Sequence, residues 1–210
     1  LNDTTTGTPM CAVIENTNTR SGDYGNLLTA PRPGHGDYPG FIRYNGFNDI
    51  RGGGHFSGRL TAPIVFAGSV CRQILEKKGI KIASHIQSVG KVCDSRFNPL
   101  KIDEGLIDSL NKQSFPVIDP SSEPKMREYI ENARMSQDST GGVIECVATG
   151  VPAGIGSPMF GGVENLISSI MFGIPAVKGI EFGAGFAITE MLGSQANDQY
   201  AYDENGRVVT

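Results

Sequence analysis

Cysteine is sparse and scattered. The four residues (Cys11, Cys71, Cys93, Cys146) form no CxxC pair and have no histidine at metal-ligand spacing. Neither a disulfide framework nor a structural metal site is therefore written into them. Each falls in an apolar segment, where cysteine behaves as a small hydrophobe, so the pattern predicts buried free thiols in a reducing, cytoplasmic setting. Long apolar runs are also missing: none approaches the roughly 18 residues that would span a bilayer. The opening LNDTTTGTPM has neither the charged nor the apolar region of a signal peptide. A basic excess is absent too. A formal net charge of -4 argues against the broad positive face of a nucleic-acid protein. Among catalytic signatures, GxxxxGK[ST], GxSxG and HExxH do not occur. Gly154 and Gly156 are followed by Met159 where a dinucleotide fingerprint needs glycine.

What is present is a chain of 210 residues, 39 % apolar and 19 % charged, enough for a sizeable core in a globular protein. Glycine is abundant at 28 residues, nearly double the usual share of about 7 %. Eight of these glycines fall between Pro31 and Pro63, in PRPGHGDYPGFIRYNGFNDIRGGGHFSGRLTAP. The same stretch holds four arginines (Arg32, Arg43, Arg51, Arg59), two of the three histidines (His35, His55), two acids and no lysine. Guanidinium forks suit carboxylates and phosphates, and glycine lets a backbone approach a ligand closely. A polyanion site is the reading that follows. RPGHGDY alone could be an ordinary Pro–Gly turn with an exposed arginine. Three consecutive glycines between arginines are harder to explain that way, because ordering them is entropically costly.

Along the chain, Met10 to Glu15 reads as a buried strand and Asn16 to Ala30 as a loop. The arginine–glycine stretch runs irregularly to Gly58 and empties into a helix over Ala62–Lys78, stopped by Gly79. Ile80–Val92 alternates as a strand, with Gly90 as a possible bulge and His85 as a core or edge histidine. Ile102–Leu110 is a short helix; a Pro/Ser linker follows, and Ser122 caps a second helix over Glu123–Ser136. Gly142–Thr149 has the composition of a central strand. A Gly/Pro loop over Gly150–Gly162 leads to a helix at Val163–Phe172, and Ala187–Leu192 reads as a further strand. The pattern is α+β. The chain opens on Leu1 and stops within a β-like run, as a piece of a longer protein would.

Four segments carry a resemblance. RPGHGDY, RGGGHFSGRLTAP, GVPAGIGSPMF and IPAVKGIEFGAGF, in that order, resemble chorismate synthase, and the likeness extends from TTTGTP near the start to GSQANDQ near the end. It implies one chorismate synthase-like domain over residues 1–210, incomplete at both ends, with a β–α–β sandwich of large antiparallel sheets around core helices. It also implies a homotetrameric, cytoplasmic lyase of the shikimate pathway. That enzyme converts 5-enolpyruvylshikimate-3-phosphate to chorismate by 1,4-anti elimination of phosphate, using reduced FMN without net redox change. In some members NADPH reduces the flavin. By the family pattern His35 is the acid towards flavin or leaving phosphate, Arg32 binds phosphate and Arg59 holds substrate. His55, Phe56 and Ser57 stand where the family has an Arg-Ser-Ser flavin-contacting segment, and Pro175-Ala176 match another flavin-contacting pair. His55, Phe56, Gly58 and Leu60 depart from the usual Arg, Ser, Ala and Glu. The family's ESHG, RRRPG, KPTSS and GRHD segments have no counterpart in these residues. The rival expectation is a piece or relative that assembles and binds flavin weakly without turnover.

Overall fold

The computed structural model describes residues 4–17 and 20–209, which divide into two compact units, Leu1–Gly154 and Ile155–Thr210. In the first unit the chain enters through an exposed, irregular segment. Met10–Glu15 was expected as a buried strand, yet it forms no strand, and Val13 is 83 % exposed. An apolar β-branched run becomes a strand only where another strand accepts its hydrogen bonds, and none does here among the described residues. The predicted loop after it contains a 3-10 turn, Ser21–Leu28, which buries Leu27.

The arginine–glycine stretch is more regular than predicted. It holds a short helix, α1 (Asp37–Arg43), and 3-10 turns at Arg51–Phe56 and Gly58–Leu60. These lead into α2 (Thr61–Glu76), close to its predicted bounds. Pro63 sits in its first turn. At its other end Gly79 adopts φ +80°, and the Ile80 N–H donates to the Leu75 carbonyl at 3.0 Å, a 6→1 closure that ends the helix. None of the α2 side chains is buried; Val65 and Phe66 remain open.

Strand β1 (Lys81–Val89) turns at Gly90 into β2 (Val92–Cys93), then come α3 (Glu104–Leu110), α4 (Ser122–Met135) and β3 (Gly142–Thr149). The three strands form an antiparallel sheet ordered β2-β1-β3. Two expectations are corrected here. β3 lies at an edge rather than in the centre, because β1 finds partners on both sides and β3 on one; composition reports burial tendency, not sheet order. The irregularity in β1 falls between Ile86 and Ser88, not at Gly90, which instead forms the hairpin turn with φ +55° and lies against the Tyr129 ring.

Among the described residues two small clusters make the core. Ala83, Phe97, Ile107 and Leu110 join β1 to α3; Val89, Val117 and Met126 join it to α4. Met126 is completely buried. Burial of one such side chain stabilises by about 1.5–3 kcal/mol. Ser122 begins α4 instead of capping it: Ser121 holds the cap position, and the buried Ser122 hydroxyl turns to the Asp94 carboxylate.

His85 is fully buried, as a core histidine should be. Its Nδ1 lies 2.9 Å from Asp94 Oδ2 and its Nε2 lies 2.8 Å from Glu145 Oε2. Asp94 also accepts the Ile118 N–H at 2.6 Å and the Asp119 N–H at 2.9 Å. Burial pushes the Asp94 carboxyl upwards, but the backbone amides of Ile118, Asp119 and Ser95 and the Ser122 hydroxyl outweigh it, and the net shift is down. Glu145 Oε2 accepts the Phe97 N–H at 3.0 Å, and the Phe97 ring meets the imidazole edge-on at 4.9 Å. One imidazole thus ties together β1, β3, the segment after β2 and the start of α4.

The four cysteines are free thiols, as expected, but exposed rather than buried. Cys71 on α2 and Cys146 on β3 lie on elements whose apolar surfaces stay open, so an apolar neighbourhood in sequence does not bury them.

In the second unit a 3-10 turn (Met159–Gly161) precedes α5 (Val163–Met171); a second 3-10 turn (Gly185–Glu190), α6 (Gly193–Ala196) and the β4/β5 hairpin (Ala201–Tyr202, Val208–Val209) follow. The strand predicted at Ala187–Leu192 is instead the 3-10 turn. Gly185 at φ +54° starts it, and local bonds such as Ala187 N–H to the Ala184 carbonyl at 3.1 Å hold it. The α+β assignment stands, with helices and antiparallel sheets of three and two strands among the described residues.

Candidate anion site

RPGHGDY closes on its own acid. Asp37 is the first residue of α1 and its carboxylate is buried. Arg32 meets it with a two-pronged fork: Nε donates to Oδ2 at 2.8 Å and Nη2 to Oδ1 at 2.9 Å, while the Arg32 backbone N–H adds a bond to Oδ2 at 3.0 Å. His35 Nδ1 lies 2.7 Å from Asp37 Oδ1. Arg32 Nη2 stands 3.2 Å from His35 Nδ1 and 3.3 Å from Nε2, a position over the ring. The hydrogen bonds from Arg32, acting against burial, hold the Asp37 carboxyl well below the usual carboxylate range. The same bond raises the Arg32 guanidinium.

The triple glycine closes against this cluster. Gly52, Gly53 and Gly54 all have positive φ (+65°, +84° and +52°), a conformation that side chains with a Cβ adopt at a penalty. Space also limits Gly54, while Gly53 lies within ordinary contact range of its neighbours. A Cβ on the buried Gly53 would come to 3.6 Å from Arg32 Nη2 and from His35 Nε2 and Cε1. One on Gly54 would strike the Asp49 carbonyl. The Gly52 carbonyl accepts a bond from Arg59 Nη1 at 2.7 Å, and Ser57 Oγ accepts from the Arg59 N–H at 3.2 Å. The Phe56 ring lies so close over Gly36 and Gly40 that a Cβ there would approach it to 2.6 and 2.5 Å. Glycine at 36 and 40 is what lets the two motifs close on one another.

Beside this, a cavity of about 430 Å³ is walled by Tyr44, Phe47, Asn48, His55 and Phe56. Asn48 Oδ1 there is a buried acceptor with no donor among the described residues. Asp49 pairs with Arg51 at 2.6 Å, and those bonds lower its carboxyl to about 2.

The structure therefore brings Arg32, His35, Phe56, Ser57 and Arg59 together around Gly52–Gly54, with His55 at the adjoining cavity. Pro175 and Ala176 lie in the second unit, on a turn after α5 where Ala176 takes φ +69°. The arginine excess is smaller than its count suggests. Asp37 and Asp49 each engage one arginine, leaving Arg59, and Arg43 over the Tyr44 ring, as the arginines of the stretch without a carboxylate partner among the described residues. The sequence reading singles out the glycine run but gives Asp37 no role in the site. The signal for Asp37 is an acid two residues beyond His35.

Comparison with known proteins decides the family. A chorismate synthase family model matches residues 1–208. The chain belongs to the chorismate synthase family. It is 45 % identical over 206 residues to the chorismate synthase of Thermococcus kodakarensis, covering 98 % of this chain and 56 % of that protein. Its identity to the chorismate synthase of Pyrococcus abyssi is 46 %, with the same coverage of 98 % and 56 %. A crystal structure of a chorismate synthase superposes with a TM-score of 0.68 at 29 % identity, over 82 % of this chain and 54 % of that one. The chain thus spans a little over half the length of the relatives it matches. Among the described residues no helix is long and apolar enough to cross a membrane.

Proposed function

We propose that these residues contribute the central portion of a chorismate synthase that eliminates phosphate from 5-enolpyruvylshikimate-3-phosphate to form chorismate, with reduced FMN bound. The observation that carries the reading is the Arg32–His35–Asp37 cluster packed on the positive-φ glycine run, in a chain whose family is established. The substrate bears two carboxylates and a phosphate, and the flavin bears another phosphate, so guanidinium forks and close-approaching backbone suit both.

The residues present fit the flavin. The cavity beside Phe56 has aromatic walls, and its orphaned Asn48 acceptor is one that a ring N–H or ribityl hydroxyl would satisfy. On this reading His55, Phe56 and Ser57 hold the flavin. When bound, the reduced flavin supplies an electron-rich ring that the reaction does not consume. Arg32 and Arg59 bind anionic oxygens, and His35 holds and delivers a proton. Assembly as a homotetramer, flavin reduction by NADPH and a cytoplasmic location belong to the same proposal.

The test is anaerobic turnover by the intact protein, following phosphate release and chorismate together. Equal yields, dependent on reduced FMN and reduced about 100-fold or more by His35→Ala, are expected. Phosphate release without chorismate, or without need of flavin, would sink the proposal. The second reading rests on the span of the match, a little over half of each relative. It expects residues 1–210 alone to bind flavin weakly and turn nothing over, and turnover by that piece would remove it.

A further inference from the structure

We propose that Asn48 is a specificity-determining residue of the cavity beside Phe56: its side-chain amide pairs with the imide edge of the flavin ring, the N–H and adjacent C=O that the flavin carries whether oxidised or reduced. The inference rests on the proposed function for the identity of the ligand and deepens it at one residue. The cavity, at about 430 Å³, has the size of a small-molecule site, and most of its wall is made of rings: Tyr44, Phe47, His55 and Phe56. Phe47 is 93 % exposed, so this part of the wall is aromatic surface that the protein leaves uncovered. Flat apolar faces of this kind suit a planar heterocycle better than a polyol or a phosphate.

Other acceptors of the same wall are already engaged. Asp49 accepts from Arg51 Nε at 2.8 Å and from Arg51 Nη2 at 2.6 Å, and the Gly54 carbonyl accepts the Ser57 N–H at 3.2 Å. Asn48 differs. Its Oδ1 is shut off from water, yet no described residue donates to it. An amide oxygen in that state has lost its water without gaining a bond. Because no protein donor holds Oδ1, the terminal torsion of the side chain, which is broad in asparagine, can turn it to a ligand without breaking a bond there. A phosphate or carboxylate has no hydrogen to offer and would leave the oxygen unpaired, so the partner must carry a donor. Among the wall side chains Asn48 also has its acceptor and its donors on one planar group, whereas the two imidazole nitrogens of His55 point apart. An amide of that shape is the complement of a ring N–H beside a ring C=O.

The experiment compares the affinity of the intact protein for FMN and for FMN methylated on the imide nitrogen, followed by flavin fluorescence without any substrate. The methyl group removes the ring N–H and keeps the ribityl chain, the phosphate and the flat ring. The native protein is expected to prefer FMN about 10-fold or more. In Asn48→Leu, FMN binding should weaken about 5- to 10-fold and the preference should shrink to about twofold or less. Equal affinity of the native protein for the two flavins would overturn the proposal. So would an Asn48→Leu protein that binds both more weakly with the preference unchanged, because Asn48 would then only shape the wall. Should Asn48→Leu fail to fold, Asn48→Asp carries the test: a carboxylate still accepts the ring N–H, so a kept preference supports the proposal and a lost one overturns it. A native protein that binds neither flavin would sink the functional reading and this inference with it, whereas binding without preference would remove the inference alone.

Discussion

His85 and Glu145 face each other across β1 and β3 as register partners, and their side chains meet at 2.8 Å. The opposite ring nitrogen meets Asp94, so a fully buried imidazole lies between two carboxylates. Breaking one partner of such a buried pair leaves the others without compensation and costs about 3–5 kcal/mol. His85→Ala and Asp94→Asn are each expected to lower unfolding free energy by that amount in urea titrations. Their effects should be strongly non-additive in the double variant, because both remove the same network. Additive losses would mean that the contacts are independent.

Acid should destabilise the first unit in part through Asp94, beside Asp37 and Asp49, whose carboxyls are also held low. The folded Asp94 carboxyl titrates below the ordinary value of 3.8, so the unfolded chain binds its proton first as pH falls. The stabilisation is complete above that ordinary value and is lost as pH drops through the lower folded value. Unfolding free energy measured from pH 6 to pH 2 (chosen to bracket the carboxylate range) should decline below about pH 4, and Asp94→Asn should flatten part of that decline. A variant with the native pH slope would assign the acid sensitivity elsewhere.

Gly54→Ala combines two penalties, a positive φ and a collision with the Asp49 carbonyl. Gly58→Ala meets neither, since a Cβ there would find open space. The first is expected to cost more than the roughly 1–2 kcal/mol of left-handed backbone alone, and the second about 0.5 kcal/mol or less. Thermal melts of the two variants check the order.

In the core, Met126→Ala should cost about 2–5 kcal/mol, whereas Met135→Ala on the exposed end of α4 should fall within about 0.5 kcal/mol of native. Similar values for both would mean that α4 does not pack as described.

Of the stretch's arginines, Arg51 is paired with Asp49 and largely exposed, while Arg59 is held by the Gly52 carbonyl and Ser57 with no carboxylate among the described residues. Arg59→Ala should weaken substrate binding by the intact protein about 10-fold or more, and Arg51→Ala about twofold or less. Equal losses would show that pairing with Asp49 does not withdraw Arg51 from the ligand.

The sequence by itself determined the family, four of the helices and the neighbourhood of the site, while the short helices α1 and α6 were not read from it. The helices α2, α3, α4 and α5 were legible because capping residues and apolar spacing act within a few residues of one another. The glycine run was legible for the same reason: a positive φ is a local demand, and Gly52, Gly53 and Gly54 all meet it. Tertiary structure decided the rest. Strand composition at Met10–Glu15, Gly142–Thr149 and Ala187–Leu192 states a preference, but a strand also needs a partner, and partners come from distant chain. Hence one became irregular, one an edge and one a 3-10 turn. The charges followed the same rule. Counting arginines could not reveal that Asp37 and Asp49 withdraw two of them, nor that Asp94 and Glu145 converge on a histidine from 9 and 60 residues away. Hydrogen bonds and ion pairs act over a few ångströms, and only folding brings such residues within that reach.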